Sequence, residues 1–104
     1  MLKLTHEQVG HLTAQMAAAI KGLNWTSEPI RIFPIPRGGI PVVYLLGSMM
    51  DSFVLTDDPA EADLFVDAII DSGVTMKGYC DEYPGRPFFA LIDKLAPRSE
   101  YRDA

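Results

Sequence analysis

The chain has 104 residues and a formal net charge of −5, with 48% hydrophobic and 22% charged residues, the balance of one ordinary globular domain spanning 1–104. Its acidic balance, with no cluster of lysine and arginine, argues against binding a nucleic-acid backbone, and no apolar run approaches the roughly 18 residues of a membrane span. The amino terminus is patterned as an amphipathic segment and not as a secretion signal, and the lone cysteine, Cys80, cannot form an internal disulfide, so a cytoplasmic protein is expected.

Thr5 followed by Gln8 is a capping-box pattern, and Leu4 with Val9 can staple it, which predicts a helix start. Val9, Leu12, Met16, Ile20 and Leu23 then recur at helical spacing, and Gly22 and Asn24 supply the stop. This helix is expected to cover a sheet, with His6 and His11 on its solvated side.

Residues 30–36 form an apolar run of strand length closed by Pro36, Arg37, Gly38 and Gly39. Pro34 removes a ladder donor, so that part of the strand is expected to be bulged or unpaired at its nitrogen. Pro41 suits the first turn of a following helix, whose predicted buried face is Val42, Val43, Leu45, Leu46, Met49 and Met50.

Residues 52–56 read as a short second strand, and Asp57, Asp58 and Pro59 as a turn. A third strand, 64–66, runs into Asp67, Ala68, Ile69, Ile70, Asp71, Ser72, Gly73, Val74 and Thr75, and a helix follows to about Glu82. The turn from Tyr83 to Pro87 leads to a fourth strand, 88–92, and a polar tail from Lys94. Strands alternating with helices predict an α/β fold: a small parallel sheet of about four strands with helices on both faces and a Rossmann-like core. The apolar content of 42–50 and of Phe88 and Phe89 makes a homo-oligomer plausible.

Two glycine-containing turns follow two strands, placing both at the carboxyl edge of the sheet, where open α/β folds bind ligands. Asp71, Ser72, Gly73, Val74 and Thr75 open a helix, so backbone N–H groups and two hydroxyls can surround a phosphate at the positive helix end. Asp67 and Asp71 can hold sugar hydroxyls or handle a proton. The simpler alternative is a generic strand-to-helix turn, with Asp71 as helix cap and Asp67 solvated at a strand end.

Residues 65–75, Phe-Val-Asp-Ala-Ile-Ile-Asp-Ser-Gly-Val-Thr, resemble the phosphoribosyl pyrophosphate (PRPP) signature of the type I phosphoribosyltransferases. Arg37, Gly38 and Gly39 resemble that family's pyrophosphate loop, in the right order and at the right separation. The resemblance covers nearly the whole chain and is closest to the purine (hypoxanthine, guanine, xanthine) members. It implies that Asp67 holds the ribose hydroxyls, that Ser72, Gly73, Val74 and Thr75 hold the 5′-phosphate, and that Arg37, Gly38 and Gly39 receive pyrophosphate. It also implies that Asp71 exchanges the base proton, that Lys94 binds the exocyclic oxygen of a 6-oxopurine, and that Mg²⁺ is the cofactor, carried by PRPP and reaching the protein through Asp67 if at all. The expected activity is phosphoribosyl transfer from PRPP to a purine base with release of pyrophosphate. A cis or strained Pro36–Arg37 peptide, with the loop amides facing the same cavity as Ser72 to Thr75, is implied as well.

Ala68 replaces the second acid of the signature, 50–63 leaves no room for the usual flexible loop, and the sequence stops before the family's aromatic hood. These departures keep two other readings open: a regulatory module that binds PRPP or a nucleotide without turnover, and a shortened product of a longer reading frame. Of the aromatics, only Tyr83 and Tyr101 are candidates to approach a base.

Overall fold

In the computed structural model, which describes residues 5–23, 29–50 and 52–94, the chain is an α/β protein with a four-stranded, all-parallel sheet. Its first element, α1 (His6–Lys21), starts at the predicted capping box: Thr5 Oγ1 accepts the Gln8 N–H at 3.0 Å, and the Thr5 N–H donates to Gln8 Oε1 at 2.9 Å. These bonds satisfy donors that a helix start otherwise leaves unpaired. Leu4 and Asn24, invoked as staple and stop, lie outside the described residues. Met16 and Ile20 of the predicted stripe are buried, whereas Leu23, one residue beyond the Gly22 cap, is exposed. Thr13 completes the buried face because its hydroxyl donates to the Val9 carbonyl at 2.7 Å, which removes the penalty for burying a polar group.

The strands are β1 (Ile30–Pro34), β2 (Phe53–Leu55), β3 (Leu64–Ile70) and β4 (Phe88–Asp93), in the order β2-β1-β3-β4. On one face, Ile30, Ile32, Leu64, Val66 and Phe89 pack against α1 and α2 (Gly39–Leu46). On the other, Phe33, Phe65 and Phe88 meet Met76, Tyr79, Cys80 and Tyr83 of the segment formed by α3 (Val74–Glu82) and its cap. Phe65 is the centre of that second layer, with ring centroids 5.2 Å from Tyr79 and 5.9 Å from Tyr83. The central strands are covered on both faces, which explains why their sequences read as continuous apolar runs without alternation.

The structure revises the predicted elements at several points. The first strand ends at Pro34 instead of Pro36: its last pair with β2 is Ile32 with Leu55, so the donor that Pro34 lacks falls on the β2 side past the end of that ladder. Towards β3 the pairing continues to Pro34 and Val66, and the Ile35 N–H still donates to the Val66 carbonyl at 2.8 Å. The third strand extends through Ile70, because β4 supplies partners as far as Asp93. In α2, Leu45 is 40% exposed and not part of the buried face; at 3.6 residues per turn it lies about 110° from the centre of the arc formed by Val42, Val43 and Leu46.

Among the described residues no helix is long and apolar enough to cross a membrane.

Candidate functional site at the carboxyl edge of the sheet

β1 and β3 are neighbours at the centre of the sheet, yet the chain leaves them in opposite directions. From β1 it passes through α2 to β2 on one side, and from β3 through α3 to β4 on the other, with the two helices on opposite faces. The crevice between the carboxyl ends of β1 and β3 is therefore the topological switch point, where sheets of this kind leave room for a ligand.

The 37–39 turn follows β1. Its Pro36–Arg37 peptide is cis, in line with the expectation from sequence. The Gly39 N–H donates to the Ile35 carbonyl at 2.8 Å and the Ile40 N–H to the Arg37 carbonyl at 3.3 Å, so the Gly39 amide is turned into the loop and not towards a cavity. Among the described residues, no hydrogen bond engages the Arg37 or Gly38 amide. Both glycines are required by close approach to β3. A β-carbon on Gly39 would collide with the Val66 carbonyl, and one on Gly38 would lie 2.9 Å from Asp67 Oδ1 and 3.3 Å from the Ala68 side chain. The turn thus rests on the strand that carries Asp67.

Asp67 is half-buried, and its Oδ1 accepts the Ala68 N–H at 2.7 Å. Burial pushes its pKa above the usual carboxylate value, and the Ala68 hydrogen bond partly opposes that. Beyond β3, Gly73 takes a positive φ of 85° and caps α3, a conformation that a glycine adopts without steric cost. The helix cap is therefore Gly73 and not Asp71, and Asp67 lies half-buried within β3 and not at its end.

With no side chain capping α3, the helix presents unpaired N–H groups at its positive end; the Val74 N–H makes only a long 3.4 Å contact with Ser72 Oγ. A cavity of about 90 Å³ opens here, lined by Asp67, Asp71, Ser72, Gly73 and Thr75 and bounded by Met76 and Phe88. Ile69, Ile70, Met76 and Phe88 also line it and were given no site role from sequence; the aromatic was assigned only to the core.

Lys94 reaches this cluster through the sheet. Its N–H donates to the Ile70 carbonyl at 2.9 Å, extending the β3–β4 ladder by one residue, and its Nζ lies 3.5 Å from Asp71 Oδ1. Two candidate residues far apart in sequence are thereby paired. Arg37 is exposed, and no contact links it to the 72–75 turn. Tyr83 is partly buried against Phe65, with the Arg86 guanidinium 5.4 Å from its ring centroid, and is not among the residues lining this cavity; Tyr101 lies outside the described residues.

A second, larger groove of about 720 Å³ lies on the β2 side of the cis peptide, between Pro34, Pro36, Ile40 and Leu55, with Thr56 and Asp57 at its rim. It is open and mostly apolar, and no cation lines it. The smaller cavity, with its hydroxyls and carboxylates, is the more polar of the two.

The connector from β2 to β3 is held down along its length. The Thr56 N–H donates to Ile32, Asp58 caps the 3₁₀ turn Pro59–Glu61, the Arg31 N–H donates to Asp63 Oδ2 at 2.8 Å, and Arg86 donates to the Pro59 carbonyl. This segment is a strap on the sheet and not a long loop over the crevice.

Compared with known proteins, the chain matches no protein-family model and no curated protein.

Proposed function

We propose that the chain transfers a ribosyl 5-phosphate group from PRPP to a purine base, a 6-oxopurine in preference to others, with release of pyrophosphate. The observation that carries this reading is the contact of the 37–39 turn with β3 at the switch point: Gly38 rests on Asp67 and Ala68 of the strand that leads into the 72–75 turn. Each turn separately resembles half of a PRPP site, and this contact supports joining the halves.

In this reading the amides and hydroxyls of Ser72, Gly73, Val74 and Thr75 hold the 5-phosphate at the start of α3. Asp67 accepts ribose hydroxyls, and the Arg37 and Gly38 amides with the Arg37 guanidinium receive pyrophosphate. The C1–O bond to pyrophosphate breaks with its electron pair leaving on oxygen, a C1–N bond forms to the base, and Asp71 accepts the proton that the base loses. Lys94 donates to the exocyclic oxygen of the base.

No group of three or more His, Cys, Asp or Glu able to hold a metal occurs among the described residues. In this reading Mg²⁺ arrives on the substrate's phosphates, and Asp67 would be the carboxylate that meets it. Bound there, the ion supplies neutralisation of charge on the departing pyrophosphate. A cytoplasmic location accords with the reading, and self-association through the exposed Ile40, Tyr44, Val54 and Leu55 belongs to it as well.

A second reading, a module that binds PRPP or a nucleotide without turnover, is favoured by the strapped β2–β3 connector, which leaves nothing in that segment to close over the crevice and exclude water. Calorimetry with PRPP and Mg²⁺, run beside a pyrophosphate-release assay over a panel of bases, separates them. Release with hypoxanthine, guanine or xanthine is the expected result. Binding without release from any base transfers the assignment to the module, and absence of both removes the PRPP site.

A further inference from the structure

Among the described residues, the cavity at the 72–75 turn is lined by two carboxylates, Asp67 and Asp71, and by no cation. That is an awkward lining for a phosphate group, since a carboxylate repels the same charge that the helix amides attract. Lys77, one turn into α3, does not relieve it, because its ammonium is held by Asp81 at 2.7 Å. Among the described residues, the cation that does reach the lining is Lys94, 3.5 Å from Asp71 Oδ1. Its backbone is fixed by the hydrogen bond to Ile70 that extends the sheet, so the ammonium is delivered to Asp71 by the fold.

We infer that Lys94 is a positioning residue for the phosphorylated ligand before any base is present: by pairing with Asp71 it cancels the charge that would otherwise expel a phosphate from the 72–75 turn. This inference rests on the proposed phosphate site and adds to the base contact proposed for Lys94. It makes Asp71 and Lys94 an energetically coupled pair in an anion-binding step that involves no purine.

The geometry also fixes the size and sign of the effect. Lys94 and Asp71 are 46% and 79% exposed, so their interaction is screened by solvent, and its loss changes anion affinity about three- to tenfold and not by orders of magnitude. Because the effect is one of charge and not of packing, removing both partners restores what removing one destroys.

The test is a double-mutant cycle read by calorimetric or NMR titration with inorganic phosphate and with ribose 5-phosphate, no base or metal added. Lys94→Met is expected to weaken both ligands about three- to tenfold at low salt, with a smaller loss at about 0.5 M salt, where screening acts within a few ångströms. Lys94→Arg is expected to stay near wild type, Asp71→Asn to bind somewhat more tightly, and Lys94→Met with Asp71→Asn to return close to wild type. Equal affinity in wild type and Lys94→Met overturns the inference while leaving the phosphate site standing. A double mutant as weak as Lys94→Met also overturns it, since the loss is then not due to an unpaired Asp71. Failure of the folded wild type to bind either ligand removes the phosphate site itself, and this inference with it.

Discussion

Gly39 and Val66 approach so closely that a β-carbon on the glycine would overlap the valine's carbonyl oxygen. That oxygen is fixed by the Ile35 N–H, so it cannot turn aside. Gly39→Ala is therefore expected to destabilise the fold by about 1–3 kcal/mol, the usual range for forcing extra volume into a packed position. At Gly38 the nearest obstacle is the Asp67 side chain, which can rotate, so Gly38→Ala should cost less stability and more ligand affinity. Urea unfolding and ribose 5-phosphate titration of the two variants give the ranking; a Gly39→Ala protein as stable as wild type contradicts the packing of the turn on β3.

Asp67 sets function against stability. Burial raises its pKa above 3.8, so the folded state binds its proton more tightly than the unfolded state does. Below the unfolded value both states are protonated and the residue is neutral to stability; as pH rises through the unfolded and then the folded value, a penalty for burying the charge appears and persists. Asp67→Asn keeps an oxygen for the Ala68 N–H and is expected to be more stable than wild type at pH 7, with the difference fading towards pH 3, while losing affinity for ribose 5-phosphate. Denaturant midpoints at the two pH values check the sign.

Thr75 is exposed and lines the small cavity. Thr75→Val preserves its shape and removes its hydroxyl, so thermal stability should stay within about 0.5 kcal/mol of wild type while PRPP binding weakens. Undiminished PRPP binding by this variant would count against the cavity as the phosphate site.

For Asp71 the expected separation is between rate and affinity. If it takes the base proton, Asp71→Asn lowers turnover by roughly 10²- to 10⁴-fold, while PRPP binds as well as before or better, because a negative charge has left the cavity lining. A matched fall in rate and affinity would place Asp71 in ligand binding instead.

Several features were legible in the sequence because they depend on neighbours along the chain. The Thr5 and Gln8 capping box needs residues three apart, and the parallel α/β class follows from apolar strand runs alternating with helical ones. The positions of Asp71 and the 72–75 turn just past a strand were readable for the same reason. What only the tertiary structure decided were relations across strands. β4 extends β3 through Ile70, which puts Asp67 in a strand under the 37–39 turn and raises its pKa. The end of β2 at Leu55 accommodates Pro34, helix phase exposes Leu45, and the β3–β4 ladder brings Lys94 to Asp71. Local propensity acts through a few consecutive residues, whereas charge pairing, burial and steric fit depend on which strands become neighbours, and that is settled by packing the whole core.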